Sequence, residues 1–308
     1  MYRLVVADLD SPSYFVATAA VELGYFREEG IDAELERAYG ALNGPERLRN
    51  GEIHFLGGPA YMATRAFPGW KGAKLLCALA HYSYWFLAVR ADLDARRGDL
   101  SALKGLRISS STAFPEVGLR HLLKQAGIDL ERDRVSIVPL PSTRDEHLKY
   151  RVGVDALAQN IADAYWGNGM RLAIGEKLGV AKVHLDLRRG DGPPGARFYN
   201  FAALTTTERL IDEHPDAASG AVRAIVKAQR ALKADPSLST SVAERLFPPD
   251  EVPLIAGLVA RDAPFYEATI TPEAVEGLNK VARAGGLIAA PAAYEALVAT
   301  QFRTLWNG

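Results

Sequence analysis

Four hydroxyl residues in a row, Ser109-Ser110-Ser111-Thr112, form the stretch of this chain best suited to hold a ligand. They follow a short apolar segment from Leu106 and precede a helical pattern over about 115–126, with Leu119, Leu122 and Leu123 on one face. Hydroxyls and backbone N–H groups at a strand end that opens a helix attract an anion, because the first-turn donors are unpaired and the dipole is positive there. The same residue types also serve as plain N-caps. Ser110, Ser111 and Thr112 therefore carry two readings, an anion clamp and a helix cap. Ser11, Ser13 and Tyr14 stand at a second place of this kind, after the strand pattern Tyr2 to Ala7, with Pro12 fixing the turn. Gly58 and Pro59, in Gly57-Gly58-Pro59-Ala60, make a third: glycine lets a ligand approach the backbone, and it also serves any tight turn.

Aromatic residues cluster near these loops. His81, Tyr82, Tyr84 and Trp85 open a run, His81 to Arg90, that reads as a strand. Alternation then puts His81 with Ser83 and Trp85 on one face, and Tyr82 with Tyr84 on the other. One face is core and the other lines a site. Tyr165, Trp166 and Asn168 close a strand that begins at Ala162, and Tyr199 and Asn200 lie in a return strand, Phe198 to Thr205. Arg144 and Arg197 are the cations near these candidates. A small oxyanion alone does not need so many rings, whereas an aromatic or extended apolar acid uses them by stacking and burial. The competing reading is that most of the rings are core.

Catalytic templates are weak. The chain has no G-x-S-x-G elbow, H-E-x-x-H pair, Walker loop or G-x-G-x-x-G loop. Its six histidines, at 54, 81, 121, 147, 184 and 214, show no sharp metal spacing. No catalytic residue, metal or cofactor is assigned from the sequence.

The elements that must position these residues alternate as strand and helix through the first two thirds, which predicts largely parallel sheets. An amphipathic helix carries Phe15, Ala19, Leu23 and Phe26. A strand follows over Ala33 to Leu35, then a helix over Gly44 to Asn50, and a strand over Gly51 to Leu56 that runs into the glycines. Further on, strands are read at Val135 to Pro139, Ala162 to Trp166 and Lys182 to Leu187. Helices are read from Arg144 to near Gly153 and over Arg171 to Leu178. The last third is helical, over Pro215 to Ala234, Pro236 to Arg245, Pro249 to Asp262, Pro272 to Ala284 and Pro291 to Trp306. Each of these starts with Pro in its first turn, where the missing N–H costs nothing.

A chain of 308 residues exceeds the usual limit of one core, so two lobes are expected. Net charge is -1, from 36 Lys plus Arg against 37 Asp plus Glu, and a nucleic-acid or anionic-membrane partner wants a basic excess. The single cysteine, Cys77, sits in an apolar run and reads as a buried small hydrophobe; it has no partner within the chain for a disulfide. No apolar run reaches the ~18 residues of a membrane span. Met1 abuts the first strand pattern directly. Either a leader has been removed, which makes the protein periplasmic or extracytoplasmic, or Met1 is the native start and the protein is cytoplasmic.

The order of segments resembles the substrate-binding proteins of ABC importers, in the branch that takes nitrate, sulfonates, taurine and thiamine precursors. The matching words are VELGYFREEGIDAEL (21–35), LRNGEIHFLGGPA (48–60), DLSALKGLRISSST (99–112), LLKQAGIDLERDRVSIVPLP (122–141), VGVDALAQNIADAYWG (152–167) and YEATITPEAVEGLNKVARAGGLI (266–288). The resemblance implies an α/β, two-lobed fold of the type II periplasmic-binding-protein kind, with mostly parallel sheets flanked by helices and a helical C-terminal third. Lobe one is then 1–88 plus 205–308, lobe two is 91–201, and the hinge crossings lie near 85–91 and 198–205. It implies an anionic head group at the 109–112 loop, a ligand beside Gly58, and an aromatic wall from the Asp163-Ala164-Tyr165-Trp166 word. The implied function is a monomeric receptor for a small organic anion (a sulfonate, an aromatic or alkyl carboxylate, or a pyrimidine precursor) that delivers it to an ABC permease. The alternative is a cytoplasmic enzyme on the same scaffold, such as an aromatic-acid decarboxylase. The thiamine-pyrimidine synthases of this fold carry a cysteine-rich iron motif, and this chain, with one cysteine, lacks it.

Overall fold

In a computed structural model, residues 1–9, 11–36, 43–111, 114–141 and 152–307 are described. They divide into two compact units. The first comprises Met1–Tyr82 and Asn200–Gly308, and the second Ser83–Tyr199. The chain passes between them at Tyr82–Ser83 and at Tyr199–Asn200.

The first unit is built on strands β1 (Tyr2–Val6), β2 (Ala33–Glu36), β3 (Phe55–Pro59), β4 (Ala73–Ala80) and β10 (Ala202–Thr207), in the order β2-β1-β3-β10-β4. The pairs β1–β2 and β1–β3 are parallel, and β10 runs antiparallel to both β3 and β4. Helices α1 (Phe15–Glu22), α2 (Tyr25–Glu28) and α3 (Gly44–Asn50) belong to its first part. A left-handed Gly24, φ +85°, divides the expected amphipathic helix into α1 and α2. At α3 the helix ends on a left-handed Gly51, φ +77°, and the Glu52 N–H returns to the Arg47 carbonyl. Gly51 and Glu52 therefore close the helix, His54 N–H already bonds to the Arg3 carbonyl, and β3 starts later than the expected Gly51, at Phe55, and runs through the glycines.

The second unit repeats this plan with β5 (Phe86–Arg90), β6 (Arg107–Ser110), β7 (Ser136–Pro139), β8 (Ala164–Gly167) and β9 (Ala181–Asp186), in the order β7-β6-β8-β5-β9. Here β6 is parallel to β7 and β8, while β5 is antiparallel to β8 and β9. Helices α4 (Phe114–Gln125), α5 (Val152–Ala158) and α6 (Gly169–Lys177) accompany it. Of the helix expected from Arg144 to near Gly153, residues 144–151 lie outside the described residues, and α5 continues past Gly153 to Ala158. A Cβ at Gly153 would lie 2.4 Å from the Tyr165 ring, so glycine at this helical position makes room for that ring. Each sheet is thus parallel in its first three strands and mixed where the crossing strand enters.

The expected strand His81 to Arg90 is interrupted. Tyr82 is left-handed, φ +66°, the His81 N–H is bonded to the Phe265 carbonyl and the Ser83 N–H to the Arg197 carbonyl. Extended alternation therefore does not apply to residues 81–85.

The C-terminal third consists of α7 (Glu208–Glu213), α8 (Pro215–Ala234), α9 (Leu238–Leu246), α10 (Val252–Asp262), α11 (Pro272–Ala284) and α12 (Tyr294–Leu297). The helix expected over Pro291 to Trp306 is broken. Val298 forms a parallel bridge with Leu75, the Ala299 N–H donates to the Leu75 carbonyl, and a 3-10 turn occupies Thr300–Leu305. An exposed sheet edge invites unwanted pairing. Here the β4 edge is covered: Ala78 N–H reaches the Ala268 carbonyl, Trp306 Nε1 reaches the Leu76 carbonyl, and Gln229 Nε2 of α8, buried, donates to the Ala78 and Leu79 carbonyls. Cys77 lies wholly buried in β4, where burial raises its thiol pKa. No helix among the described residues is long and apolar enough to cross a membrane.

Candidate functional site

In open α/β sheets ligands bind outside the carboxyl ends of the parallel strands. Register shows what each unit gathers there. In the first unit, Val6 is level with Gly57, so the loop after β1 and the end of β3 share one edge. Because β10 enters antiparallel, with Ala202 opposite both Pro59 and Ala80, Asn200 and His81 come to that same edge. Ser11, Ser13, Tyr14, Pro59, His81 and Asn200, scattered over 190 positions of sequence, are thereby collected by topology alone.

The β1 loop is held firmly. Asp8 Oδ1 accepts the Ser11 N–H at 2.7 Å, the Ser11 carbonyl accepts the Tyr14 N–H at 3.1 Å, and the fully buried Tyr266 hydroxyl donates to the Pro12 carbonyl at 2.9 Å. Ser11 itself is 1% exposed, and its Oγ has no hydrogen-bond partner among the described residues. Ser13 and Tyr14 are buried beside it. Gly58 has a packing explanation: a Cβ there would stand 3.0 Å from the Ala7 Cβ. Its neighbour Gly57 is pressed in the same way by Ala17 of α1 and by Val6, each at 3.2 Å. His81 Nε2 lies 2.7 Å from the Thr269 carbonyl, which fixes the proton on that nitrogen. Burial lowers the His81 pKa, and the Thr269 carbonyl offsets part of this. The Tyr82 ring lies 5.5 Å from His81 and edge-on to Phe265 at 6.4 Å.

In the second unit, Ser110 is level with Trp166 and with Pro139. Since β5 enters antiparallel, with Phe86 opposite Gly167, the segment 83–85 reaches the carboxyl edge of β6 and β8. Ser110 is buried and its Oγ donates to the Ser111 carbonyl at 3.0 Å, while Ser109 Oγ donates to the Ala164 carbonyl at 3.2 Å. Ser111 is half-buried. Thr112 and Arg144 lie outside the described residues. Asn168 caps the β8 end, and its carbonyl accepts the Leu172 N–H.

The two rings expected to wall a pocket point to opposite sides of β8. Trp166 is fully buried, donates Nε1 to the Pro115 carbonyl at 2.9 Å and packs 5.5 Å from Trp85, which in turn lies 5.6 Å from Phe114. Tyr165 lies in an apolar cluster with Phe86, Ala88, Leu157 and Leu172. Both rings hold helices to the sheet. Tyr199 is different: its ring stands edge-on to His121 at 4.9 Å, its hydroxyl has no partner among the described residues, and burial pushes its pKa up to about 12. The phenol is therefore a neutral donor.

Sequence reading passed over three residues of these edges. Ser83 was assigned only a strand face, yet it is wholly buried with no partner for its Oγ among the described residues. Tyr61, next to Ala60, is kept protonated chiefly by burial and then by the Asp8 carboxylate. Tyr266 braces Pro12 from 254 residues away, and no local signal marks it. The edges thus offer hydroxyls, amides and backbone N–H groups suited to an oxygen-rich polar group. Among the described residues no three His, Cys, Asp or Glu converge as metal ligands.

A protein-family model described as NMT1/THI5 like matches residues 11–239. No curated protein matches the chain. Among solved structures, the putative periplasmic sulfonate-binding protein SsuA of Methylobacillus flagellatus KT superposes with a TM-score of 0.73 at 17% identity, over 98% of this chain and 92% of that one. The periplasmic aliphatic sulphonate-binding protein SsuA of Escherichia coli gives 0.71 at 12% identity, over 96% and 91%. A mutant of the desulfurization enzyme DSZB in complex with biphenyl-2-sulfinic acid gives 0.66 at 17% identity, over 98% and 97%. At these identities the likeness establishes a shared fold.

Proposed function

Since the chain belongs to the NMT1/THI5-like family, we propose that it is a substrate-binding receptor for a small organic anion, working with an ABC permease. One observation carries the reading. The Ser11 hydroxyl is buried and has no hydrogen-bond partner among the described residues, at a strand end ahead of a helix, in a loop braced by Asp8 and Tyr266. A buried polar group left alone costs about 1–3 kcal/mol, so a braced, unpaired hydroxyl at this edge is suited to a ligand. The names of the solved neighbours support a sulfonate or a related oxyanion.

Each unit has its own candidate contacts: Ser11, Ser13, Tyr14, Gly58, Pro59, His81, Tyr82 and Asn200 in the first, and Ser110, Ser111, Thr112, Asn168 and Tyr199 in the second. The burial of Tyr165 and Trp166 makes them supports for the edge rather than its lining. A receptor of this kind functions outside the cytoplasm as a monomer, and its permease docks on the loaded form.

Thermal-shift measurements with ethanesulfonate, taurine, benzenesulfonate, benzoate, nitrate and a hydroxymethylpyrimidine test the reading. A probe at 100 times its Kd adds about 2.7 kcal/mol of stability. Ser11→Ala then weakens the binding of the successful probe about tenfold or more. No shift with any of them counts against an anion receptor. The likeness to DSZB favours a second reading, an enzyme acting on an aromatic sulfinate or carboxylate. Release of sulfite or carbon dioxide from 2-phenylbenzenesulfinate or a hydroxyphthalate on incubation with the protein distinguishes it from simple binding.

A further inference from the structure

Two buried hydroxyls of the second unit lack partners among the described residues, and they sit on segments bonded to each other. Ser83 is 0% exposed and Tyr199 4% exposed; neither Ser83 Oγ nor the Tyr199 hydroxyl has a hydrogen-bond partner among the described residues. The Ser83 N–H donates to the Arg197 carbonyl at 2.7 Å, and the Tyr199 N–H donates to the Ala196 carbonyl at 3.2 Å. A turn led by a left-handed Gly195 thus ties the segment carrying Tyr199 to the backbone of Ser83. His121 on α4 fixes the plane of the Tyr199 ring, at 4.9 Å and 73°. The antiparallel entry of β5 puts Ser83 at the carboxyl edge of β8, where ligands of such sheets bind.

Native proteins pair nearly all buried polar side chains, and each exception calls for a reason. The other hydroxyls of this edge have theirs: Ser109 and Ser110 bond to backbone carbonyls. Packing does not require the oxygen of either exception, since alanine and phenylalanine preserve the remaining shape.

Resting on the receptor reading above, we infer that Ser83 and Tyr199 are a pair of ligand-binding hydroxyl donors, addressed to the oxygens of a sulfonate or carboxylate head group. Both are neutral donors, so they select an acceptor by direction and number of hydrogen bonds rather than by net charge. Ser83 is the less obvious member, because nothing in its local sequence separates it from a core serine.

Removal of an oxygen that has no partner in the free protein leaves stability unchanged or raises it, whereas removal of one that bonds a ligand weakens binding. Wild type, Ser83→Ala and Tyr199→Phe are compared by thermal melting without probe and by calorimetric titration with benzenesulfonate, benzoate and ethanesulfonate. Each substitution is expected to hold or raise the melting temperature and to weaken binding about tenfold to a hundredfold, as for a hydrogen bond to a charged group. Equal affinity in all three proteins overturns the inference while leaving the receptor reading intact. A lower melting temperature in both variants also overturns it, since the hydroxyls then have partners within the protein. Wild type that binds none of the three probes counts against the receptor reading and the pair together.

Discussion

The two units use glycine in opposite ways, the first within strand β3 and the second within helices α4 and α5. In the first, Gly57 and Gly58 let methyl-sized groups close in: Ala17, Val6 and Ala7 stand 3.0–3.2 Å from where a Cβ would be. In the second, Gly118 and Gly153 are notches for whole rings. A Cβ at Gly118 would lie 2.1 Å from Trp85, and one at Gly153 would lie 2.4 Å from Tyr165. Small-on-small packing brings α1 down onto the sheet of the first unit, whereas rings set into glycine notches attach α4 and α5 to the sheet of the second. The lesson concerns the aromatic residues. Those with a glycine notch are anchors, and Tyr199, without one, keeps a hydroxyl for other purposes.

The sharpest test of this contrast is a pair of substitutions. Gly118→Ala gains helix propensity but drives a methyl into a ring already wedged by Phe114 and Trp166, so it destabilises by about 1–3 kcal/mol net. Gly58→Ala meets the Ala7 Cβ at 3.0 Å, a contact that a shift of a few tenths of an ångström relieves, and costs less, about 1 kcal/mol. Urea unfolding of both variants checks the order. If Gly58→Ala proves the costlier change, the contrast is wrong.

Acid separates the units less strongly. Burial lowers the pKa of His54 and His81 in the first unit and of His184 in the second. His184 is fully buried, with Nε2 at 2.9 Å from the Asp99 carbonyl and no partner for Nδ1 among the described residues. Below the ordinary histidine value of 6.5 the unfolded chain takes up protons that these folded rings refuse. Stability is therefore full above pH 6.5 and is lost as pH falls toward the lowered folded values. A second loss follows at lower pH, below the ordinary value of 4.5. There Glu36, held down by its hydrogen bonds to Arg47, and Glu29, held down by Lys227 and Arg223 against the opposing effect of its burial, must be protonated. Unfolding midpoints at pH 7.5 and 5.5 should differ, and His184→Gln should reduce that difference. An unchanged difference removes His184 from the account.

The smallest effect is that of Tyr266→Phe, which deletes the brace to Pro12. It should cost about 1 kcal/mol of stability and loosen the Ser11 loop. Affinity for any probe that Ser11→Ala weakens should fall as well, whereas an unchanged affinity means that the loop holds its shape without the brace.

The sequence made the order of strands and helices readable, because apolar periodicity and the Pro-led helices are local signals. It also marked Ser11 and Ser110 through their place between strand and helix. It could not reveal that Tyr82 turns left-handed, since nothing local forces an aromatic residue there, and so the alternation read over 81–85 failed. It could not tell Trp166 from Tyr199 either, because burial of one indole and isolation of one phenol depend on Pro115, Trp85 and His121, none of them adjacent. The closing segment read as one helix because its composition is helical; its attraction to β4, at Leu75 and Val298, is a long-range fact.

The cover on β4 also sets an order in time. Leu76 waits for Trp306, 230 residues later, and β3 waits for β10, so the first sheet stays unfinished until residues far beyond the second unit have emerged. Residues 83–199 hold all five strands of the second sheet without interruption and can close on themselves much earlier. Contacts of such large sequence separation are slow to form, because loop closure precedes any reward. During synthesis the second unit is accordingly the early folder, and the outer edge of β4 is the surface that a chaperone has longest to protect.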